Sequence, residues 1–293
     1  MLIVLYSFAF TVVILNLRRS QLFWPILLVL HRWSWILFFC SIVYFLWDCF
    51  GFFHPPTAIF MLILVLLWFI IRTGFIWYTI NKLNKSNYPF FPNFKPIPEY
   101  KAWPILLYFL KAKNEIQIEG FKQMQCLNFN MDKKNSLNLV IFKNAKDTIR
   151  LEFHIFMYLG RVMSQAYTFY SQTRTKIYVT DSSLLPFFGV YPKNWSVKKN
   201  PLEPSWQKLY AIHKKQINSQ KKPLMRWSVA PIDQIVHRHK ILADYNQLQG
   251  YIHPHSQWKK DRRLTQEGCY RLWLNTWLME FFGICLGYNP FIV

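Results

Sequence analysis

The sequence predicts a membrane α + β protein: three N-terminal transmembrane helices, then a small cytosolic antiparallel β-sandwich and a basic C-terminal extension. Long apolar runs fill the first eighty residues, short β-branched runs follow from about residue 115, and lysines and arginines dominate after residue 193. We divide the chain accordingly into a transmembrane domain (1–81), a juxtamembrane aromatic and proline-rich hinge (82–113), the sandwich (114–196) and the extension (197–293).

Three apolar segments make up the predicted transmembrane domain: 2–17, 22–53 and 57–80. In hydrocarbon every backbone polar group must be hydrogen-bonded within its own segment, so apolar runs of about this length indicate spanning helices. The first is short, since roughly 16 residues at about 1.5 Å each cover about 24 Å of a core roughly 30 Å thick. A helical hairpin buried in a soluble protein is the alternative, and three such runs in succession disfavour it.

The positions of the basic residues predict the orientation. The link between the first two segments carries Arg18 and Arg19, and Arg32 follows near the start of the second, whereas the link between the second and third carries no lysine or arginine. Lys82 and Lys85 follow the third segment. Because positive charge stays in the cytosol, the N-terminus is expected outside or in the lumen, and everything after about residue 80 in the cytosol.

The hinge and the sandwich have different local patterns. Four prolines between residues 89 and 98 exclude a helix interior and favour an extended segment, with a plain linker as the alternative. Beyond it, period-two alternation and β-branched runs predict strands, and Gly, Asn and Asp clusters between them predict turns. The strand candidates are 115–119, 137–142, 148–155 and 176–180. Such spacing without regular helices between is typical of an antiparallel sandwich.

The extension is rich in lysine and arginine, in a chain whose formal net charge is +21. Its basic residues alternate with aromatics such as Trp206 and Trp227, and Trp195 lies just before it, a composition suited to following a phosphate backbone and stacking on bases. A solvated tail is the alternative for any single lysine. The candidates for binding RNA or an RNA-loaded protein are Lys198, Lys199, Lys214, Lys215, Lys221, Lys222, Arg226, Lys259, Lys260, Arg262 and Arg263.

The last apolar stretch, 270–286, is interrupted by Arg271, Asn275 and Glu280. It is too interrupted for a fourth span. Either a core helix that packs on the sandwich or an interfacial helix fits this pattern.

Three motifs carry a resemblance to a known family. In the hinge, Ser86, Tyr88, Phe90 and Pro92 match the form S-x-W-x-F-x-P, with Tyr for Trp. The predicted sandwich contains the tripeptide Leu159-Gly160-Arg161, followed by a spaced tract formed by Ile177, Val179, Ser182, Leu185, Phe187 and Phe188. In order and spacing these motifs resemble the membrane (M) protein family of coronaviruses and related nidoviruses, over roughly residues 2–190.

The resemblance implies a structural envelope protein of virions and of host ER–Golgi membranes, without catalysis. Such a protein forms homodimers and higher oligomers in the lipid bilayer and recruits spike and envelope proteins and the nucleocapsid protein or genomic RNA. The chain departs from the family in three places. It has essentially one residue before its first predicted span, where M proteins usually present a longer, often glycosylated N-terminal ectodomain. It is several residues longer between Arg161 and Ile177, which predicts a longer loop, and about a hundred residues from Lys193 onward have no counterpart.

No enzymatic or cofactor site is predicted, because the sequence has neither a glycine-rich phosphate loop nor a nucleophile elbow. The pairs His237/His239 and His253/His255 resemble metal ligands, but no cysteine lies close to them, so no metal site is predicted. Two alternative functions remain: a three-span accessory viral protein that acts as a channel (viroporin), and a membrane subunit of an organelle or secretion complex.

Overall fold

The computed structural model describes residues 10, 12–13, 25–50, 56–86, 91–104, 106–183, 189–219, 222–254 and 263–284. The chain forms an apolar helix pair, a seven-stranded sheet with helices on both faces, and a final helix that packs against the pair. All three parts contribute to the candidate site.

Two long helices correspond to the second and third predicted spans: α1 (Pro25–Cys49) and α2 (Thr57–Asn84). Trp33 packs on Phe69 near one end of the pair and Trp47 on Phe60 near the other, so the helices are antiparallel. Both are long and apolar enough to cross a membrane. The first predicted span, 2–17, lies outside the described residues except for positions 10, 12 and 13.

The strands form one sheet in chain order. Every neighbouring pair is antiparallel except β6 and β7, which are parallel. The predicted strands at 137–142, 148–155 and 176–180 are confirmed within β3, β4 and β6. The strands are β1 (Lys95–Pro96), β2 (Lys122–Asn130), β3 (Asn135–Lys143), β4 (Ile149–Tyr158), β5 (Arg161–Gln172), β6 (Ile177–Asp181) and β7 (Trp195–Lys199).

The predicted sandwich is wrong, because the strands form a single sheet rather than two. The reason lies in β3 and β4, where consecutive residues are buried on both faces. A sheet that is apolar on both faces needs cover on both, and helices provide it here.

Four helices cover the sheet. The short α3 (Glu99–Ala102) with α4 (Leu107–Ile118) and α5 (Trp206–Asn218) lies over one face, where Phe109 and Leu209 join the main core. On the other face lies α6 (Pro231–Leu248), whose Ile235 packs among side chains of β2 and β3. The extension therefore completes the core of the domain instead of forming a separate tail.

Three further expectations differ from the structure. The predicted strand 115–119 is the end of α4, because Phe109, Ala112 and Ile116 recur at helical spacing and are buried together. The longer loop expected between Arg161 and Ile177 is mostly the twelve-residue strand β5. The domain boundary predicted between residues 196 and 197 falls inside β7.

The Leu-Gly-Arg tripeptide forms the turn between β4 and β5. Tyr158 pairs with Arg161 across a two-residue loop in which Leu159 and Gly160 have φ values of 48° and 75°. Two positive φ values in succession define the type I′ turn that matches the twist of an antiparallel hairpin. This motif therefore has a local structural role, whatever function the protein has.

The final helix, α7 (Gln266–Phe282), begins at Thr265, whose side chain accepts a hydrogen bond from the backbone N–H of Gly268. It packs on α1 and α2, and Phe281 inserts between Trp33 and Phe69. It also touches the α/β domain, since Arg271 donates to the carbonyl of Gly189 (3.4 Å). Of the two interpretations of 270–286, packing on the sheet domain alone is wrong, because α1 and α2 cover much of this helix.

Candidate functional site

A cluster of three charged residues joins α7 to the apolar helix pair. Glu280 accepts hydrogen bonds from Arg32 of α1 (2.6 Å) and from Arg72 of α2 (2.8 and 3.1 Å), so one carboxylate binds two guanidinium groups. All three side chains are partly buried. Charges placed among apolar helices are costly unless they are paired, so this cluster determines where α7 can dock.

A second contact holds the start of α7 against the end of α2. Asn84 is buried, its amide group donates to the carbonyl of Leu264 (3.1 Å), and its side-chain oxygen accepts from the N–H of Leu264 (2.6 Å). Arg263 donates to the carbonyl of Ser86. Together with Glu280, these bonds attach α7 to α2 at two levels of the helix.

A buried ion pair attaches α6 to the sheet. Arg238 of α6 donates to Glu152 of β4 inside the protein, and its guanidinium lies 3.7 Å from the ring centre of Tyr170. Burial opposes ionisation of Glu152, but the charge of Arg238 and the hydrogen bonds from His154 and Arg238 outweigh it and lower the pKa of Glu152 to about 2. The carboxylate is therefore ionised, and its charge is balanced chiefly by α6.

A buried histidine links α5 to the sheet on the opposite face. Thr180 donates to Gln216 (2.9 Å), so its oxygen accepts from Nδ1–H of His213 (2.8 Å). Nε2 of His213 then accepts from the hydroxyl of Ser171 (2.9 Å). Burial lowers the pKa of His213 to about 3, so the ring is neutral, and because Ser171 and His213 have no solvent exposure this pair is structural rather than nucleophilic.

This histidine predicts a loss of stability in weak acid. The folded-state pKa of His213 lies below the ordinary value of about 6.5. The contribution of His213 to the free energy of unfolding is therefore complete above about pH 6.5 and decreases as the pH falls towards 3. At pH 5 the loss from His213 alone is about 2 kcal/mol. Denaturant unfolding of the detergent-solubilised chain at pH 7 and pH 5 measures it, and His213→Asn is expected to reduce the pH-dependent loss by that amount.

The conservative variant Thr180→Ser keeps the hydroxyl that binds His213 and serves as the control. It is expected to unfold more easily at both pH values while keeping the wild-type difference between them. If His213→Asn showed the full wild-type difference between pH 7 and pH 5, this explanation of the acid sensitivity would be wrong.

The described motif residues taken from the resemblance lie in different elements. Ser86 lies just after α2, where its hydroxyl donates to the carbonyl of Leu83 (2.7 Å), and Pro92 is half-buried. Ile177 and Val179 are in β6, and Ser182 binds the backbone of Tyr167 (2.9 Å). Other members of these motifs lie outside the described residues: Tyr88, Phe90, Leu185, Phe187 and Phe188.

Those basic candidates of the extension that the structure describes do not form one cluster. Lys198 and Lys215 are exposed, whereas Lys214 lies 3.6 Å from Glu119 and over the ring of Tyr210. The side chain of Lys199 is buried 3.8 Å from Asp181. Lys222 and Arg226 are exposed at one end of the sheet, and Lys221, Lys259, Lys260 and Arg262 lie outside the described residues.

The expected stacking of bases on tryptophans is not supported at three positions. Trp195, Trp206 and Trp227 are 6%, 4% and 7% exposed and belong to the packed interior. The guanidinium of Arg150 covers the ring of Trp227 at 5.2 Å. Binding of a polyanion by the described residues must therefore depend on charge more than on stacking.

The histidines singled out in the sequence have different environments. His237 is exposed, and His239 stacks on Phe91 with ring centres 5.0 Å apart. Burial and the charge of Arg238 lower the pKa of His239 to about 4. Within the part of the chain that the structure describes, no group of three or more His, Cys, Asp and Glu side chains could hold a metal.

Sequence inspection missed the two ion clusters. In the sequence Glu280 interrupts an apolar stretch and Arg32 is a topology signal, and the two residues are 248 positions apart. Glu152 stands in a predicted strand between apolar neighbours, which is a usable signal that its carboxylate needs a buried partner. Nothing in the sequence identifies Arg238 as that partner.

Comparison of the chain with protein-family models, curated proteins and solved structures finds no match in any of the three.

Proposed function

We propose that the chain is a membrane-anchored scaffold protein that holds a basic α/β domain against the bilayer. The observation that carries this proposal is the position of α7, which packs on both apolar helices and also contacts the α/β domain. A scaffold needs such a fixed connection, because a domain on a flexible linker could not transmit an assembled geometry to the membrane.

The finer proposal is the role implied by the resemblance. The protein would be a viral envelope component of internal host membranes, with its N-terminus in the lumen. It would associate with further copies, gather spike and envelope proteins in the bilayer, and collect nucleocapsid or genomic RNA on the cytosolic side. The net charge of +21 supports an anionic partner there.

The channel alternative receives less support from the same residues. A channel directs charged side chains towards a water-filled path. Here Glu280 of α7 binds Arg32 of α1 and Arg72 of α2, so the charged groups join three helices instead of lining a path. We therefore keep the scaffold as the proposed function.

The test is expression of the full chain in animal cells. The protein is expected to resist carbonate extraction from membranes, to appear in the medium in membrane-bounded particles, and to carry no glycan at the sequon Asn194-Trp195-Ser196. Asn194 is exposed, so a lumenal domain would present it for modification.

Two controls make the result interpretable. An N-terminal tag that carries its own sequon should be glycosylated, since that end is proposed to be lumenal, and Asn194→Gln should leave the mobility of the chain unchanged. A glycan on Asn194 would overturn the orientation, extraction by carbonate would overturn the anchor, and stable membrane insertion without particle release would overturn the envelope role.

A further inference from the structure

One end of the sheet brings together basic residues that are far apart in the sequence. In the strand register, Lys122 lies opposite Lys143, Gln172 opposite Ile177, and Ile177 opposite Trp195, so six strands begin or end at this edge. The turns next to these positions are rich in lysine and arginine. We call this surface the basic edge; it consists of Lys122, Lys143, Lys146, Arg174, Lys176, Lys193, Lys222 and Arg226.

The last two members reach the edge through a segment that crosses it. The N–H of Met225 donates to the carbonyl of Gln172 (2.8 Å), and the N–H of Trp227 donates to the carbonyl of Asp147 (3.1 Å). The side chain of Gln172 donates to the carbonyl of Arg226 (3.4 Å). These bonds join the 222–227 segment to the β3–β4 and β5–β6 turns and so place its charges beside theirs.

The basic edge is open and almost uniformly positive. Seven of its eight residues are exposed, and Lys143 is half-buried. Lys143 pairs with Asp147 (3.3 Å), and among the described residues the other seven have no salt bridge. Five spacings between neighbouring strands make the edge roughly 24 Å wide.

We propose that the basic edge binds the phosphate backbone of RNA without sequence preference. The proposal deepens and rests on the proposed function, because the edge must face the compartment that contains the RNA. The sequence predicts a nucleic-acid surface formed by the extension alone, whereas the surface proposed here lies at one end of the sheet. Most of its residues, including Lys146, Arg174 and Lys176, belong to the strands and turns before residue 197.

The composition of the edge favours nucleic acid over an acidic protein. Protein interfaces have an apolar or aromatic centre from which charged residues are depleted. Among the described residues of the 222–227 segment and of the β3–β4 and β5–β6 turns, only Met225 exposes a large apolar side chain, and the nearby Trp227 is buried. Affinity for nucleic acid, in contrast, arises largely from phosphate neutralisation and counterion release.

The lipid headgroups of the protein's own membrane are less suitable partners. The start of α6 lies beside the edge, where Arg150 donates to the carbonyl of Val229 (2.9 Å). After the far end of this 18-residue helix, Tyr251 contacts Arg271 of α7. The helix is roughly 27 Å long, so it separates the basic edge from α7 by more than a Debye length, which is about 8 Å at physiological salt. At that distance the charge of the headgroups is screened from the basic edge.

The test uses the full chain in nanodiscs of zwitterionic lipid and a fluorescent poly(U) RNA, titrated by anisotropy at several salt concentrations. The variant Lys146→Gln/Arg174→Gln/Lys176→Gln removes three exposed charges from the basic edge. We expect at least a tenfold loss of affinity at low salt. The slope of log affinity against log salt should decrease by about 2, since each phosphate contact to a single strand contributes about 0.7.

The opposite end of the sheet supplies a matched control. Lys133→Gln/Lys134→Gln/Arg161→Gln removes the same residue types from exposed positions in or next to the other hairpin turns, and its affinity should stay within twofold of wild type. A second test variant, Lys222→Gln/Arg226→Gln, is expected to weaken binding like the first. It changes no residue of the sheet.

Four outcomes would overturn the assignment: no binding of poly(U) at low salt, equal losses in the test and control variants, equal affinity for polyglutamate of matched charge, or tighter binding to phosphatidylserine vesicles than to RNA. None of these depends on particle release or on glycosylation. A chain that inserts and releases particles but fails here would refute the basic edge and leave the scaffold proposal intact.

Discussion

Replacing Arg238 with methionine is expected to destabilise the protein by about 3–5 kcal/mol, the cost of leaving one partner of a buried ion pair without the other. Arg238 and Glu152 are both almost fully buried, and the guanidinium also covers the ring of Tyr170. Among the described residues, the Glu152 carboxylate without Arg238 retains only the imidazole ring of His154 (3.6 Å) as an ion-pair partner. Thermal unfolding in detergent should show a midpoint lowered by on the order of 10 °C.

The double variant Arg238→Met/Glu152→Leu separates charge burial from packing. If the unpaired carboxylate causes the loss, removing it should restore most of the stability, because apolar residues of similar volume often replace a buried ion pair at little cost. If the double variant were as unstable as Arg238→Met alone, the loss would come from packing against Tyr170, and the electrostatic explanation would be wrong.

Replacing Glu280 with alanine should detach α7 from the apolar helices. The substitution leaves Arg32 and Arg72 without the carboxylate that joins them. Because all three side chains keep some exposure, we expect a cost of about 2 kcal/mol, below the range for fully buried pairs. Hydrogen exchange of the full chain in nanodiscs measures the effect as faster exchange across Gln266–Phe282.

Glu267→Ala provides the control in the same helix. Glu267 is exposed in the first turn of α7, where a carboxylate stabilises the helix by about 0.3–1 kcal/mol. This variant should leave exchange near Glu280 unchanged. Unaltered protection of α7 in Glu280→Ala would show that apolar packing alone holds the helix.

A strand can be predicted from the sequence where its buried residues form a run of β-branched and other apolar side chains. β3, β4 and β6 were found in this way, whereas β5 was missed. Its buried Tyr167 and Phe169 alternate with Ala166 and Thr168, and its serines and glutamines resemble a loop. The strand predicted at 115–119 is wrong for the opposite reason. Ile116 and Ile118 alternate with polar residues as in a strand, and this alternation hides the helical spacing of the preceding residues.

Contacts between residues that are far apart in the chain could not be predicted from the sequence. The lysines of α5 suggest a tail, yet Trp206, Leu209, His213 and Ile217 recur at helical spacing and are buried, a signal that was available. In contrast, the partners of Glu152 and Glu280 depend on how elements pack, and no local pattern encodes that. The basic edge likewise follows from the strand register, which strand prediction alone does not provide.

The contacts of Glu280 also impose an order of events during synthesis. Arg72 precedes Glu280 by 208 residues, so at about 5–20 residues per second a ribosome takes roughly 10–40 s to supply the partner of two arginines already placed on apolar helices. Until Glu280 is made, neither arginine has the carboxylate that joins the three helices. The docking of α7 on α1 and α2 is therefore a late step, which follows synthesis of the α/β domain.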